Sequence, residues 1–313
     1  MTRFLLRRGA FLIATMLVVS LLVFVLNEAT PGDVARKVLG PYASAEQVAL
    51  LTEELGLDRP VLVRYGDWLA DLASGALGTS TLYKAPVAEV LWDRLANTAL
   101  LAALAFALIV PLSLILGVAA GVREASPLDR SLSLAAVLAT SIPEFASGAL
   151  FVSVFAIGLG WLPGTAPLSP EGVWSPAAQL VLPVAVIVLY DVGYVMRMVR
   201  ASMVEVMREP YIRAARLRGL SPAAVILRHA LPNALITPIN VVLLQINYLI
   251  TGVVVVEAVF AYPGFGRMML EAALGQDIAL IEAGALIAVF IAVATQALGD
   301  GVAMALNPRI RVS

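Results

Sequence analysis

The sequence predicts an all-α polytopic membrane protein with six transmembrane helices and a small helical segment after the first of them. Of its 313 residues, 60% are hydrophobic and only 14% charged, too apolar for an ordinary soluble domain, whose apolar share is usually nearer half. Six apolar stretches, near 9–27, 98–122, 132–159, 177–196, 235–256 and 281–306, are each long enough, at about 20 residues, to cross a hydrocarbon core of roughly 30 Å. The chain thus divides into 1–27, the N-terminus and first helix; 28–97, a helical segment; and 98–313, a five-helix core that includes a polar segment at 197–233.

Arg3, Arg7 and Arg8 precede the first stretch as they would a signal peptide, but the apolar run extends to about Leu26 and no small-x-small cleavage site follows it. It is read as a retained span. In 28–97, Ser44 and Gln47 form a capping box ahead of a helix whose apolar stripe is Val48, Leu51 and Leu55, stopped by Gly56. A second amphipathic helix runs from Pro60, with Leu62, Tyr65, Leu69 and Leu72 on one side, and ends near Gly75; Trp68 is expected to pack within this segment. The stretch 132–159 carries a proline break at Ser141-Ile142-Pro143. After the stretch 235–256, Pro263-Gly264 breaks the chain direction before the last span.

Orientation follows from lysine and arginine. With the N-terminus in the cytoplasm, that side holds fourteen of the twenty-one basic residues, including seven arginines from Arg197 to Arg228. The short-loop bias therefore puts both termini and the arginine-rich segment inside, and 28–97 outside.

That arginine-rich segment, 209–233, is a polar island between long apolar runs. Pro210 suits a first helical position and Gly219 a left-handed stop. Ser221 then caps, and Pro222 starts a second helix expected to end near Pro232. In the first helix Ile212, Ala215 and Gly219 fall on one side, with Arg213 and Arg216 on another. A helix this short is marginal alone and must be held by packing.

Ala214-Ala215, three residues, Gly219, then eleven residues to Leu231-Pro232 resembles the EAA coupling motif of ABC importer permeases, with Arg213 where many families have glutamate. The run from Tyr211 to Leu220, followed by Arg228 and His229, resembles more narrowly the dipeptide/oligopeptide/nickel branch, in its first (B-type) permease subunit. Pro31-Gly32-Asp33, Leu55-Gly56-Leu57-Asp58 with Pro60, and Leu77-Gly78-Thr79-Ser80 are similar to pieces at matching places. Glu257, Phe260, Tyr262, Pro263, Gly264, Gly266 and Arg267 resemble the signature E-x-[IV]-F-x-[WY]-P-G-x-G-R, and the ending Asn307-Pro308-Arg309-Ile310-Arg311 is similar too. The resemblance covers essentially the whole chain.

It implies a type I ABC importer permease fold in a bacterial inner membrane, importing di- or oligopeptides, with nickel chelates, glutathione, opines or another small solute as alternatives. The implied partners are a second homologous permease subunit, two ATP-binding subunits, and a periplasmic or lipid-anchored substrate-binding protein, besides membrane lipid. ATP and Mg would be bound by the ATPase subunits, and no cofactor by this chain. Glu209, Tyr211, Ile212, Arg213, Ala214, Ala215, Arg216, Arg218, Gly219, Leu220, His229, Leu231 and Pro232 would form the ATPase-coupling segment. Arg213, Arg216 and Arg218 would be divided between the ATPase and the chain's own carboxylates. Glu257, Tyr262, Pro263, Gly264, Gly266 and Arg267 would form a periplasmic gate turn, in which Arg267 pairs with Glu257, Glu271 or Asp277.

The sequence contains no G-x-x-x-x-G-K-[ST] loop to cradle ATP, no H-E-x-x-H and no G-x-S-x-G. There are no cysteines, which excludes disulfides and thiolate chemistry, and one histidine, His229, is too little for a histidine-rich metal site. The chain is expected to be a transport subunit and not an enzyme, without a metal site. The net charge of −1 carries no information about nucleic acid, and no such partner is expected. Acidic groups inside apolar spans are costly and mark pathways or buried pairs. Ser141, Glu144 and Phe145, at the proline break, and Asp191 are the candidate translocation pathway, where the two acids would meet a cationic group; Asp300 is expected in a buried pair. An ion- or proton-coupled secondary transporter is the reading from a different class, but no repeat between the two halves supports it.

Overall fold

The computed structural model describes residues 2–29, 43–54, 58–169, 173–251 and 253–306. The turns at Pro31-Gly32-Asp33 and Leu55-Gly56-Leu57 and the ending 307–311 lie outside the described residues, as does the side chain of Asp300. The described residues are overwhelmingly helical, without a strand beyond an isolated bridge of Thr79 with Pro86. Two compact units emerge, 1–94 with 268–291 and 95–267 with 292–313.

In the first unit, α1 (Thr2–Ala29) contains the apolar span Arg8–Leu26. The Ser44–Gln47 capping box forms reciprocally at the start of α2 (Ala45–Glu54), with bonds of 2.9 and 3.2 Å. Next, α3 (Val61–Ser74) begins after Pro60 and stops at Gly75, whose φ of 83° only glycine adopts without cost. Tyr65 and Trp68 project from α3 onto Phe24 of α1, at ring separations of 5.4 and 5.9 Å. The Tyr65 hydroxyl meets Ser20 at 2.7 Å. Trp68 therefore packs on the first span as well as on Tyr65, whereas Leu62, expected on the same face, is exposed.

Asp277 organises the rest of this unit. Fully buried, it accepts from the Ser80 hydroxyl at 2.5 Å and from the amides of Leu82 and Leu280 at 3.0 and 3.2 Å. These bonds tie the turn at 79–86 to the start of the last helix and supply the partners that a buried carboxylate requires.

The second unit holds the main apolar core, with Leu101, Ile109, Leu182, Ile187, Leu249 and Phe260 all nearly inaccessible. It draws on α4 (Val87–Val122), α5 (Pro127–Ser141), α6 (Glu144–Phe151), which continues as a π-helical turn over Val152–Gly158, and α7 (Pro176–Met207). Ser126 caps α5 and Ser175 caps α7, each followed by a proline at the first turn. Smaller pieces follow: α8 (Pro210–Leu217), α9 (Pro222–Ala224) with a π turn over Val225–Ala230, α10 (Leu231–Ala234), α11 (Ile236–Thr251) and α12 (Val254–Val259). In chain order α13 (Phe265–Gly275) and α14 (Ile278–Leu306) come next, of which 268–291 belongs to the first unit.

Four of the six expected spans are single helices, in α1, α4, α7 and α14. The stretch 132–159 is bent by 97° between Ser141 and Glu144, because Pro143 cannot continue the preceding helix and restricts Ile142 to extended backbone. The stretch 235–256 is divided: α11 has 16 residues, or about 24 Å of rise, short of a hydrocarbon core of roughly 30 Å.

Candidate functional site

Three groups of residues within the second unit carry the polar chemistry. In the arginine-rich segment, α8 is closed by a complete glycine stop. Gly219 sits at φ 78°, its amide donates to Arg216 at 3.0 Å, and the Leu220 amide reaches back to Ala215 at 3.4 Å. Glu209 occupies the N-cap position through its backbone, without a side-chain cap bond. Ile212 and Ala215 are buried. Burying an isoleucine side chain is worth about 2–3 kcal/mol, enough to hold eight residues that would not stay helical alone. Ser221 accepts from the Ala224 amide at 3.3 Å. The helical path then passes through the π turn, which buries Val225 and Ala230, and runs beyond Leu231 and Pro232 to Ala234. Asn233 donates to the His229 carbonyl at 2.8 Å.

The opposite face of α8 is open. Tyr211, Arg213, Ala214, Arg216, Arg218 and Leu220 are exposed, and Leu217, which the motif does not single out, is 81% exposed. Upstream arginines are engaged by the chain's own acids: Arg200 with Asp129 across α5 and α7, and Arg208 with Glu124 at 2.5 Å. Arg213, Arg216 and Arg218 have no such carboxylate among the described residues.

The second group lies among α6, α7 and α11. Glu144, the first residue after the break, accepts from the Tyr248 hydroxyl at 2.5 Å. Asp191, fully buried on α7, accepts from the Gln245 amide through Oδ1. Gln245 and Tyr248 are three apart on α11 and so share a face. Ser141 bonds its own helix, to the Val137 carbonyl at 2.7 Å, and Phe145 is 57% exposed. The structure thus brings Glu144 and Asp191 together through Gln245 and Tyr248, neither of which the sequence singled out.

The third group is the turn after α12. Glu257, fully buried, accepts from the Thr98 hydroxyl at 2.5 Å and from the Arg267 amide at 2.9 Å. Thr98 in turn accepts from the Phe265 amide at 2.7 Å. A Cβ on Gly264 would run into the Glu257 carboxylate. Tyr262 donates to the Asn97 carbonyl at 2.5 Å, and the Asn97 side chain donates to the Pro263 carbonyl at 2.9 Å. Burial, with the Glu257 charge nearby, pushes the Tyr262 hydroxyl above the usual phenol range, so it stays a donor. The Arg267 guanidinium donates to the Ala261 carbonyl.

Residues 109–312 match the family described as binding-protein-dependent transport system inner membrane component, and residues 1–102 match the description of its N-terminal part. A permease protein of Brucella abortus (strain 2308), named for a peptide transport system, is 39% identical over 315 residues, which cover 99% of both chains. A glutathione transport system permease protein of Salmonella typhimurium is 34% identical over 311 residues, again 99% of both. Among solved structures, the inward-facing MetNI methionine ABC transporter is similar in fold, with a TM-score of 0.51 at 19% identity over 71% of this chain and 96% of that one.

Proposed function

Because this chain belongs to the family of inner-membrane components of binding-protein-dependent transport systems, we propose that it is the permease through which an ATP-driven importer moves di- or oligopeptides. The observation that carries the cargo class is the full-length identity with a relative named for peptide transport. The glutathione permease, related over the same length, favours glutathione, itself a short peptide, as the second reading.

In this account the chain pairs with a second, homologous permease, and two ATPase subunits bind ATP and Mg on the cytoplasmic side. A substrate-binding protein delivers cargo from the periplasm. Both termini and α8 face the cytoplasm, as the arginine distribution favours. The exposed face of α8 docks in the ATPase, where Arg213, Arg216 and Arg218 meet that protein's carboxylates. The closed stop at Gly219 and the packing of Ile212 make α8 a rigid lever that carries ATPase motion to the spans. The turn from Glu257 to Arg267, cross-bonded to Asn97 and Thr98, braces the periplasmic gate.

Uptake in proteoliposomes tests this. With the partner subunits and binding protein present, labelled peptide should accumulate only with ATP and Mg. Accumulation driven by an ion gradient without ATP would make the chain a secondary transporter instead. Preference for glutathione over other tripeptides would select the second reading.

A further inference from the structure

Glu144 and Asp191 are two acids set among apolar helices, and neither has a cationic partner among the described residues. One oxygen of each is used: Glu144 Oε1 by Tyr248, Asp191 Oδ1 by Gln245. The second oxygen of Asp191, Oδ2, is buried and accepts no hydrogen bond, in a side chain with no exposed surface. A buried carboxylate oxygen left empty is expensive. Their partners Gln245 and Tyr248 are three apart on α11, so the two acids meet the same face of that helix. Glu144 is only partly buried, at the bend where α6 begins. Resting on the importer reading above, we infer that Glu144, Asp191, Gln245 and Tyr248 form a site for a primary ammonium group, the amino end of an amine-bearing cargo.

The chemistry of the vacant positions selects this ligand. Glu144 Oε2 and Asp191 Oδ2 only accept, so the ligand must donate at least twice. A carboxylate or phosphate would be repelled. An ammonium carries three N–H donors and the compensating charge, whereas a quaternary amine carries the charge alone. Gln245 and Tyr248 hold the two acids in place from one face of α11, and an ammonium between them completes a charge-balanced cluster.

The test uses the full chain in membrane vesicles and glycinamide as probe, which has one primary ammonium and no carboxylate. An apolar diazo compound esterifies the carboxyls with loss of N2, leaving no activated acyl group for the glycinamide amine to attack, and mass spectrometry reads the rate at Glu144 and Asp191 separately. Glycinamide should slow labelling at both by roughly tenfold, the effect of one charge-assisted bond. N-acetylglycinamide, choline and sodium should leave it unchanged. In Asp191→Asn the protection of Glu144 should disappear, and in Tyr248→Phe it should weaken. No protection by glycinamide, or no labelling at either acid, overturns the site. Equal protection by choline or sodium overturns it in favour of charge screening or a bare ion. ATP-driven uptake in the same vesicles is read independently: uptake without protection removes only the ammonium site, and protection without uptake removes the importer reading.

Discussion

Gly219 and Glu257 concentrate the consequences of single atoms. At Gly219 a side chain would meet nothing within 4 Å, yet φ is 78°, so the demand is purely conformational. A β-branched residue there costs about 1–2 kcal/mol or opens the stop. In Gly219→Val, membrane insertion and ATP hydrolysis should persist while uptake per ATP falls by roughly tenfold, within the usual range of coupling energies. Gly219→Asn, which tolerates the left-handed region, should retain most uptake. Parallel assays of hydrolysis and uptake decide this, and unchanged uptake in the valine variant refutes the coupling role. Glu257→Ala strands the Thr98 hydroxyl and the Arg267 amide, at about 1–3 kcal/mol for each buried group left unpaired. Thermal unfolding in detergent should rank wild type above Glu257→Gln, and Glu257→Gln above Glu257→Ala.

At the level of elements, α5 and α7 are held by the pair of Asp129 and Arg200, with Asp129 also accepting from the Ala125 amide at 2.8 Å and from Ser133 at 3.2 Å. Removing one partner of a buried pair costs roughly 3–5 kcal/mol; Arg200 retains 29% exposure, which places Asp129→Ala near the lower end. The double variant Asp129→Ala/Arg200→Met should unfold later than Asp129→Ala alone, because it leaves no uncompensated charge. The reverse order in a thermal melt would show that the pair does not join these helices. Elements defined locally were legible in the sequence: the capping box at Ser44, the stops at Gly75 and Gly219, the cap at Ser221 and the break before Glu144. The spans in α4, α7 and α14 were legible too, since length and apolarity suffice. Long-range pairs were not. Glu144 and Tyr248 are 104 residues apart, Asp191 and Gln245 54, Thr98 and Glu257 159. No spacing rule joins them, so the acids stood out by their cost while their partners looked like ordinary polar residues.

For the whole molecule, the order of motifs along the chain identified a permease before any contact was known, and relatives aligned from end to end place it in that family. On the proposed reading, the exposed arginines of α8, which pair with no carboxylate among the described residues, mark the face that the ATPase would grip. The chain has no cysteine, so one introduced thiol is unique. Leu217→Cys places it on the exposed face of α8, away from the buried Ile212 and Ala215. The most direct measurement is cross-linking from that thiol in the assembled transporter. An adduct with the ATP-binding subunit is expected, and its yield should change when ATP is added. Cross-linking to no ATP-binding protein, in a transporter that still takes up cargo with ATP, would contradict it.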